Sequence, residues 1–265
     1  MTVGRSKITP YKQLDLRDLF FDQMRSVGAV FKKYEGKDWL EKAYYLFDIT
    51  AGDMGLDKKT SPRIFLSKLL ENEGFNFKVF LIEKNKTTFS ELKKNVMNFI
   101  KEIPLIDERR YFRENVNCIL GNNNKVLVRP EYLNGKHKWK YGLVYFDPNG
   151  FSYETWDLLS DFLGRWKALD VIMNLSAAAN KRCINNPKTL MHQGKRISHF
   201  IDMIPKSKKF IRDCYSGDQH QFFMLFCTNW ADYRICRNYD FIDLDTYEGQ
   251  QILERLDQTK EEKCR

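Results

Sequence analysis

The sequence is short of the residues that build metal centres and disulfide scaffolds. It has four histidines and six cysteines in 265 residues. The cysteines, Cys118, Cys183, Cys214, Cys227, Cys236 and Cys264, form no CxxC pair and share no metal-ligand spacing with the histidines. They read as reduced thiols, in the core or on the surface. No apolar run reaches the ~20 residues of a membrane span, and the first residues do not resemble a signal peptide. The expectation is a soluble, cytoplasmic protein with no membrane association. Internal repeats and low-complexity segments are absent. So is a GxGxxG run, which argues against a dinucleotide dehydrogenase.

What is plentiful is apolar and basic. Hydrophobic residues make up 43% of the chain and aromatics 14%, enough for one large domain or one domain with appendages. Lys and Arg exceed Asp and Glu by 44 to 35, a formal charge of +9. That balance favours a polyanionic partner, because cationic side chains that neutralise phosphates release counterions.

The pattern centres on Tyr44-Tyr45-Leu46-Phe47-Asp48 and the loop that follows, Ile49 to Gly55. A continuous apolar run that stops on an acid, with glycines at 52 and 55, is how a buried parallel strand reads when its C-terminal end meets a ligand. The plainer reading, in which Asp48 caps the next helix and the glycines make a turn, stays open. Thr60-Ser61-Pro62 starts a helix running to Leu70. Val79 to Glu83 is a second strand ending on an acid, and with the first strand and the helix between them it makes a right-handed βαβ unit; Thr88 to Lys101 continues as a helix. An acid at the end of its second strand can accept hydrogen bonds from ribose hydroxyls. Asn117 to Leu120 is a shorter strand, followed by Gly121-Asn122-Asn123, either a turn or an approach to an adenine edge.

Gly142 to Asp147 is another buried strand ending on Asp, and Pro148 holds Asp147 extended. A helix from Tyr153 to Trp166 and a strand from Asp170 to Ser176 follow. The polar, basic stretch 185–217 is expected to be helical, including Ile197 to Ile204, and to meet substrate or form a solvated face. Gln221 to Thr228 reads as a sixth strand and Tyr239 to Leu244 as a seventh. At the N-terminus Leu16, Leu19, Phe20, Met24 and Val27 share a helical face, as a cover for the sheet or a lid.

Asp48 to Gly55, Thr60-Ser61-Pro62, Glu83, Gly121-Asn122-Asn123 and Asp147-Pro148-Asn149-Gly150 resemble the successive motifs of class I S-adenosylmethionine-dependent methyltransferases. More narrowly they look like the three-Cys-motif partner family. The resemblance runs from about Tyr44 to Ser176. It implies an α/β, Rossmann-like class I methyltransferase sheet of about seven strands, the last antiparallel. The corresponding division is an N-terminal helical extension over 1–40, a methyltransferase domain over 41–256 and a charged tail over 257–265.

The resemblance also implies roles. Asp48, Thr50, Gly52, Asp53 and Gly55 would surround the methionine part of S-adenosylmethionine, Glu83 would hold the ribose, and Asn122 or Asn123 would approach the adenine. Asp147 and Pro148 stand where amino-group methyltransferases carry Asp-Pro-Pro-Tyr and accept hydrogen bonds from the target amine. Asn149 replaces the second Pro and Gly150 the aromatic, leaving Phe151 as the nearest stacking residue for a base flipped out of a duplex. Asp53 replaces a usual Pro, either as an electrostatic aid or as a loop residue, and Asn122 replaces an Asp. The implied activity is methylation of an exocyclic amine of DNA or RNA, such as adenine N6, with a protein partner suggested by the family's name. The alternatives are a different base modification on the same fold and a non-catalytic nucleic-acid-binding module.

Overall fold

The computed structural model describes residues 9–55, 60–72, 76–127, 129, 139–148, 153–177, 195–217, 220–230 and 238–258. The chain divides into two compact units, Met1–Asn122 and Asn123–Arg265.

In the first unit, three parallel strands lie in the order β3-β2-β1: β1 Leu40–Asp48, β2 Phe77–Glu83 and β3 Val116–Leu120. Tyr44 through Asp48 are all buried, so the run carries apolar side chains on both faces, as a covered parallel strand requires. On one face Phe47 stacks on its register partner Phe80 at 4.7 Å. On the other, helix α1 (Thr9–Lys33) buries Leu16, Leu19, Phe20, Met24 and Val27, and Phe20 sets its ring edge-on to Tyr44 and to Phe65 of helix α2 (Ser61–Leu70). The polar end of Tyr44 donates to the Gln23 carboxamide, which satisfies two groups that burial would otherwise leave unpaired. Helix α3 (Lys86–Lys101) starts where the Asn85 side chain accepts from the N–H groups of Thr87 and Thr88, at 2.9 and 3.0 Å, an N-cap. Helix α4 (Ile106–Asn115) packs Phe112 against Phe77 and Phe99.

The second unit opens with the short helix α5 (Asn123–Val126) and carries a mixed sheet in the order β4-β5-β7-β6-β8. Strands β4 (Trp139–Phe146) and β5 (Leu169–Ser176) are parallel. Strands β6 (Lys208–Gly217) and β7 (His220–Thr228) form an antiparallel hairpin, with β7 antiparallel to β5. Helix α6 (Tyr153–Arg165) sets Trp156 against Phe146 and against Phe200 of helix α7 (Ile197–Asp202). Helix α8 (Tyr247–Asp257) lies beyond the two-residue strand β8 (Ile242–Asp243). The described residues thus have an α/β, Rossmann-like architecture with antiparallel C-terminal strands and an N-terminal helix.

Two expectations are corrected. The basic stretch 185–217 was expected to be helical, yet Lys208–Gly217 is strand β6. Its lysines and arginine hid the strand because pairing on both sides, with β7 and β8, decides its conformation, and Lys208 is neutralised by Asp245 at 2.7 Å. The strand expected over Tyr239 to Leu244 is reduced to the two residues of β8. Eight strands are present among the described residues where about seven were expected. The charged tail beyond Gln258 lies outside the described residues.

Candidate functional site

In the first unit the ends of the three parallel strands are tied together by backbone and carboxylates. The Ala51 N–H donates to the Ile82 carbonyl at 3.1 Å and the Gly121 N–H to the Glu83 carbonyl at 3.0 Å, so each ladder runs on past its strand and the loops leave side by side. Asp48 is fully buried. Its Oδ1 accepts from the Thr50 N–H at 3.2 Å and its Oδ2 from the Ser61 hydroxyl at 2.7 Å. It therefore fastens the loop to the first turn of α2.

Glu83 does the corresponding work from the next strand. One oxygen accepts from the Gly52 N–H at 3.2 Å and the other from the Asn85 N–H at 2.7 Å. A carboxylate offers about four acceptor positions, so these two bonds leave Glu83 able to accept from a diol as well. Gly52 has φ +67, a region in which a β-carbon is penalised. An added Cβ there would meet no atom within 4 Å, so it is the backbone angle that selects glycine.

The loop holds a second left-handed residue, Met54, at φ 51 and completely buried. Such a conformation costs roughly 1–2 kcal/mol for a residue with a β-carbon, and the buried side chain offsets it. Asp53 completes the turn: its Oδ1 accepts from the Gly55 N–H at 3.0 Å, and its carbonyl accepts from the Asn95 side chain at 2.9 Å. Asp53 therefore shapes the loop locally, as an Asx turn does, in the position where the resembling family carries Pro. Asn122 is exposed two residues past the end of β3, and Asn123 is the first residue of α5.

In the second unit Asp147 and Pro148 follow directly on β4 and are half-buried. The Tyr145 hydroxyl donates to Asp147 Oδ2 at 3.4 Å, a long contact that still orients the carboxylate. Asn149 and Phe151 lie outside the described residues. Within 195–217, Lys206 and Lys208 have structural work. Lys206 is buried, and its ammonium donates to the carbonyls of Trp166 at 2.9 Å, Lys167 at 3.4 Å and Leu163 at 3.5 Å, closing the C-terminal end of α6. Burial pulls its pKa down to about 8, against a smaller upward pull from Asp170.

Sequence reasoning missed Ser61 and Asn85 as partners of the two carboxylates. Ser61 was legible only as part of a helix start, and Asn85 carried a signal of the same kind, a capping residue one turn before the apolar face of α3. Among the described residues no group of His, Cys, Asp and Glu could hold a metal ion, and no helix is long and apolar enough to cross a membrane.

No protein-family model matches the chain, and no curated protein sequence matches it. Several solved structures are similar to it in fold at low identity. One is an rRNA-methylase candidate from Clostridium thermocellum, 13% identical over 77% of this chain and 96% of that one, with a TM-score of 0.40. Another is the human methyltransferase 10 domain containing protein, 12% identical over 82% and 83%, with a TM-score of 0.41. A third is fibrillarin from Aeropyrum pernix with natively bound S-adenosyl-L-methionine, 12% identical over 78% and 76%, with a TM-score of 0.38.

Proposed function

We propose that this protein is an S-adenosylmethionine-dependent methyltransferase that acts on an exocyclic amino group of nucleic acid, such as adenine N6. The observation that carries the reading is the bond from the Gly52 N–H to the Glu83 carboxylate. It fixes a glycine loop with left-handed residues beside an acid at the next strand end, the arrangement that takes a ribose diol and the group attached to it. In this reading Glu83 accepts the ribose hydroxyls and the loop Thr50, Gly52, Asp53 and Gly55 surrounds the methionine part. Asp48 positions that loop from beneath, and Asn122 and Asn123 approach the adenine. The narrower likeness, to the three-Cys-motif partner family and its protein partner, is supported by the loop motifs alone.

Asp147 and the Pro148 carbonyl accept the two hydrogens of the target amine, with Asn149 and Phe151 completing the acceptor loop. This would leave the nitrogen lone pair free for the acceptor step. S-adenosylmethionine, when bound, would supply the methyl group and depart as S-adenosylhomocysteine, and the Asp147 carboxylate would take the proton shed by the nitrogen and pass it to solvent. The chain's main contribution is alignment. The net charge of +9 supplies the sequence-independent attraction to phosphates. The test is transfer of labelled methyl to single-stranded DNA and RNA. Asp147→Ala is expected to lose transfer while still binding S-adenosylhomocysteine. Binding of nucleic acid without any binding of S-adenosylhomocysteine would instead favour the non-catalytic module.

A further inference from the structure

The second unit contains a polar side chain that its own fold does not use. Asn174, on β5, is 2% exposed, and among the described residues neither its amide nitrogen nor its amide oxygen has a hydrogen-bond partner. Folded proteins leave few such groups, because each has given up water and gained nothing in return. An apolar residue would fill the same position at less cost.

Its place in the sheet suggests why the amide is there. Strands β4 and β5 are parallel and Phe146 is in register with Met173. Asp147 follows Phe146 and Asn174 follows Met173, so the two lie one residue beyond this register pair on neighbouring chains of the sheet. Tyr145, two residues before Asp147, donates to the Asp147 carboxylate. Across the other edge of β5, Asn174 pairs with Met224 of β7, and Met224 with Arg212 of β6. One row of the sheet thus carries a carboxamide, a flexible thioether and a guanidinium, with the Asp147 carboxylate just past the end of the neighbouring strand β4.

Resting on the function proposed above, we infer that Asn174 is a specificity residue of the acceptor site, one that reads the ring nitrogen adjacent to the target amine. A base whose amine is held by Asp147 presents its neighbouring ring atom toward the next strand, where the amide NH2 can donate to an unprotonated nitrogen. Asparagine suits an adenine edge because it offers a donor and an acceptor side by side. The ligand class is a nucleobase with an amine beside an acceptor nitrogen, as in adenine and cytosine. The amide is sealed from solvent before the base arrives, and the unbranched side chain of Met224 is the neighbour with the freedom to move aside. A donor desolvated in advance discriminates strongly, since a base lacking the acceptor leaves it unpaired again.

The experiment compares wild type, Asn174→Leu and Asn174→Ala. Thermal melts of the free proteins are measured together with the affinity for S-adenosylhomocysteine and the KM for an adenine-containing oligonucleotide in DNA and RNA forms. The Leu variant is expected to melt about 2–4 °C higher, since an unsatisfied polar group is gone. Both variants are expected to keep the S-adenosylhomocysteine affinity and to raise the oligonucleotide KM about tenfold or more. An unchanged KM in both variants overturns the inference and leaves the methyltransferase reading intact. So does a lower melting temperature in the Leu variant that Ala shares, because the amide would then have a partner in the free protein. A wild type that transfers methyl to no oligonucleotide overturns both.

Discussion

Replacing Glu83 by Ala tests the cofactor half of the account with magnitudes that follow from the geometry. In the free protein the substitution removes the acceptor for the Gly52 N–H at 3.2 Å and for the Asn85 N–H at 2.7 Å. Both donors lie near the surface and can turn to water, so the loss of stability should be about 1–3 kcal/mol. In the complex it removes two ribose bonds to a charged acceptor, about 1.5 kcal/mol each, or roughly 100-fold in affinity. Ligand at 100 times the wild-type Kd stabilises the wild type by about 2.7 kcal/mol and the variant, now near its Kd, by about 0.4 kcal/mol. For 265 residues, with an unfolding entropy of about 2.1 cal/mol/K per residue, those energies correspond to rises of about 5 °C and under 1 °C. The assay is a thermal melt with and without S-adenosylmethionine. Equal rises in wild type and Glu83→Ala would refute the assignment of Glu83 to the ribose.

Three further outcomes follow from the packing. The folded-state pKa of Lys206 is lowered from 10.5 to about 8, so between these values the unfolded chain binds the extra proton and stability rises with pH through that window. Urea melts from about pH 7.5 to pH 10 should show that rise in the wild type and a flatter profile in Lys206→Met. Gly249→Ala places a β-carbon 2.3 Å from the Asp243 carbonyl oxygen and 2.9 Å from Leu244 Cα. Both are backbone atoms that cannot swing away, so chemical denaturation should show a loss of about 1–3 kcal/mol. Asp257 accepts from the N–H groups of Ile197 at 2.6 Å and Ser198 at 3.3 Å; Asp257→Ala should cost about 1–2 kcal/mol by the same measurement, and Asp257→Asn less.

The first unit was largely legible in the sequence, because its signals are local. The run Tyr44 to Asp48 carries apolar residues on both faces of a strand, Thr60-Ser61-Pro62 marks a helix start, and Leu16, Leu19, Phe20, Met24 and Val27 mark a helix face; each lies where that pattern put it. The acids at the strand ends were legible too, but their partners were not. Nothing in a linear pattern says that the Ser61 hydroxyl, thirteen residues on, meets Asp48, or that the Gly52 N–H meets a carboxylate thirty-one residues away. Strand β6 was missed because its conformation depends on a hairpin partner and an edge strand, while its own composition is that of a solvated surface. The strand that holds Asn174 was legible, but the burial of an amide without a partner among the described residues is a property of the packed chain alone.

The most direct measurement incubates the purified protein with deuterium-labelled S-adenosylmethionine and single-stranded DNA or RNA, digests the product to nucleosides and reads them by mass spectrometry. The account predicts the label on the exocyclic nitrogen of an amine-bearing base, adenine first, and its loss with Asp147→Ala. Label on a ring carbon or a ribose oxygen would contradict the assignment of Asp147 to the amine, and no label on any nucleoside would contradict the function itself.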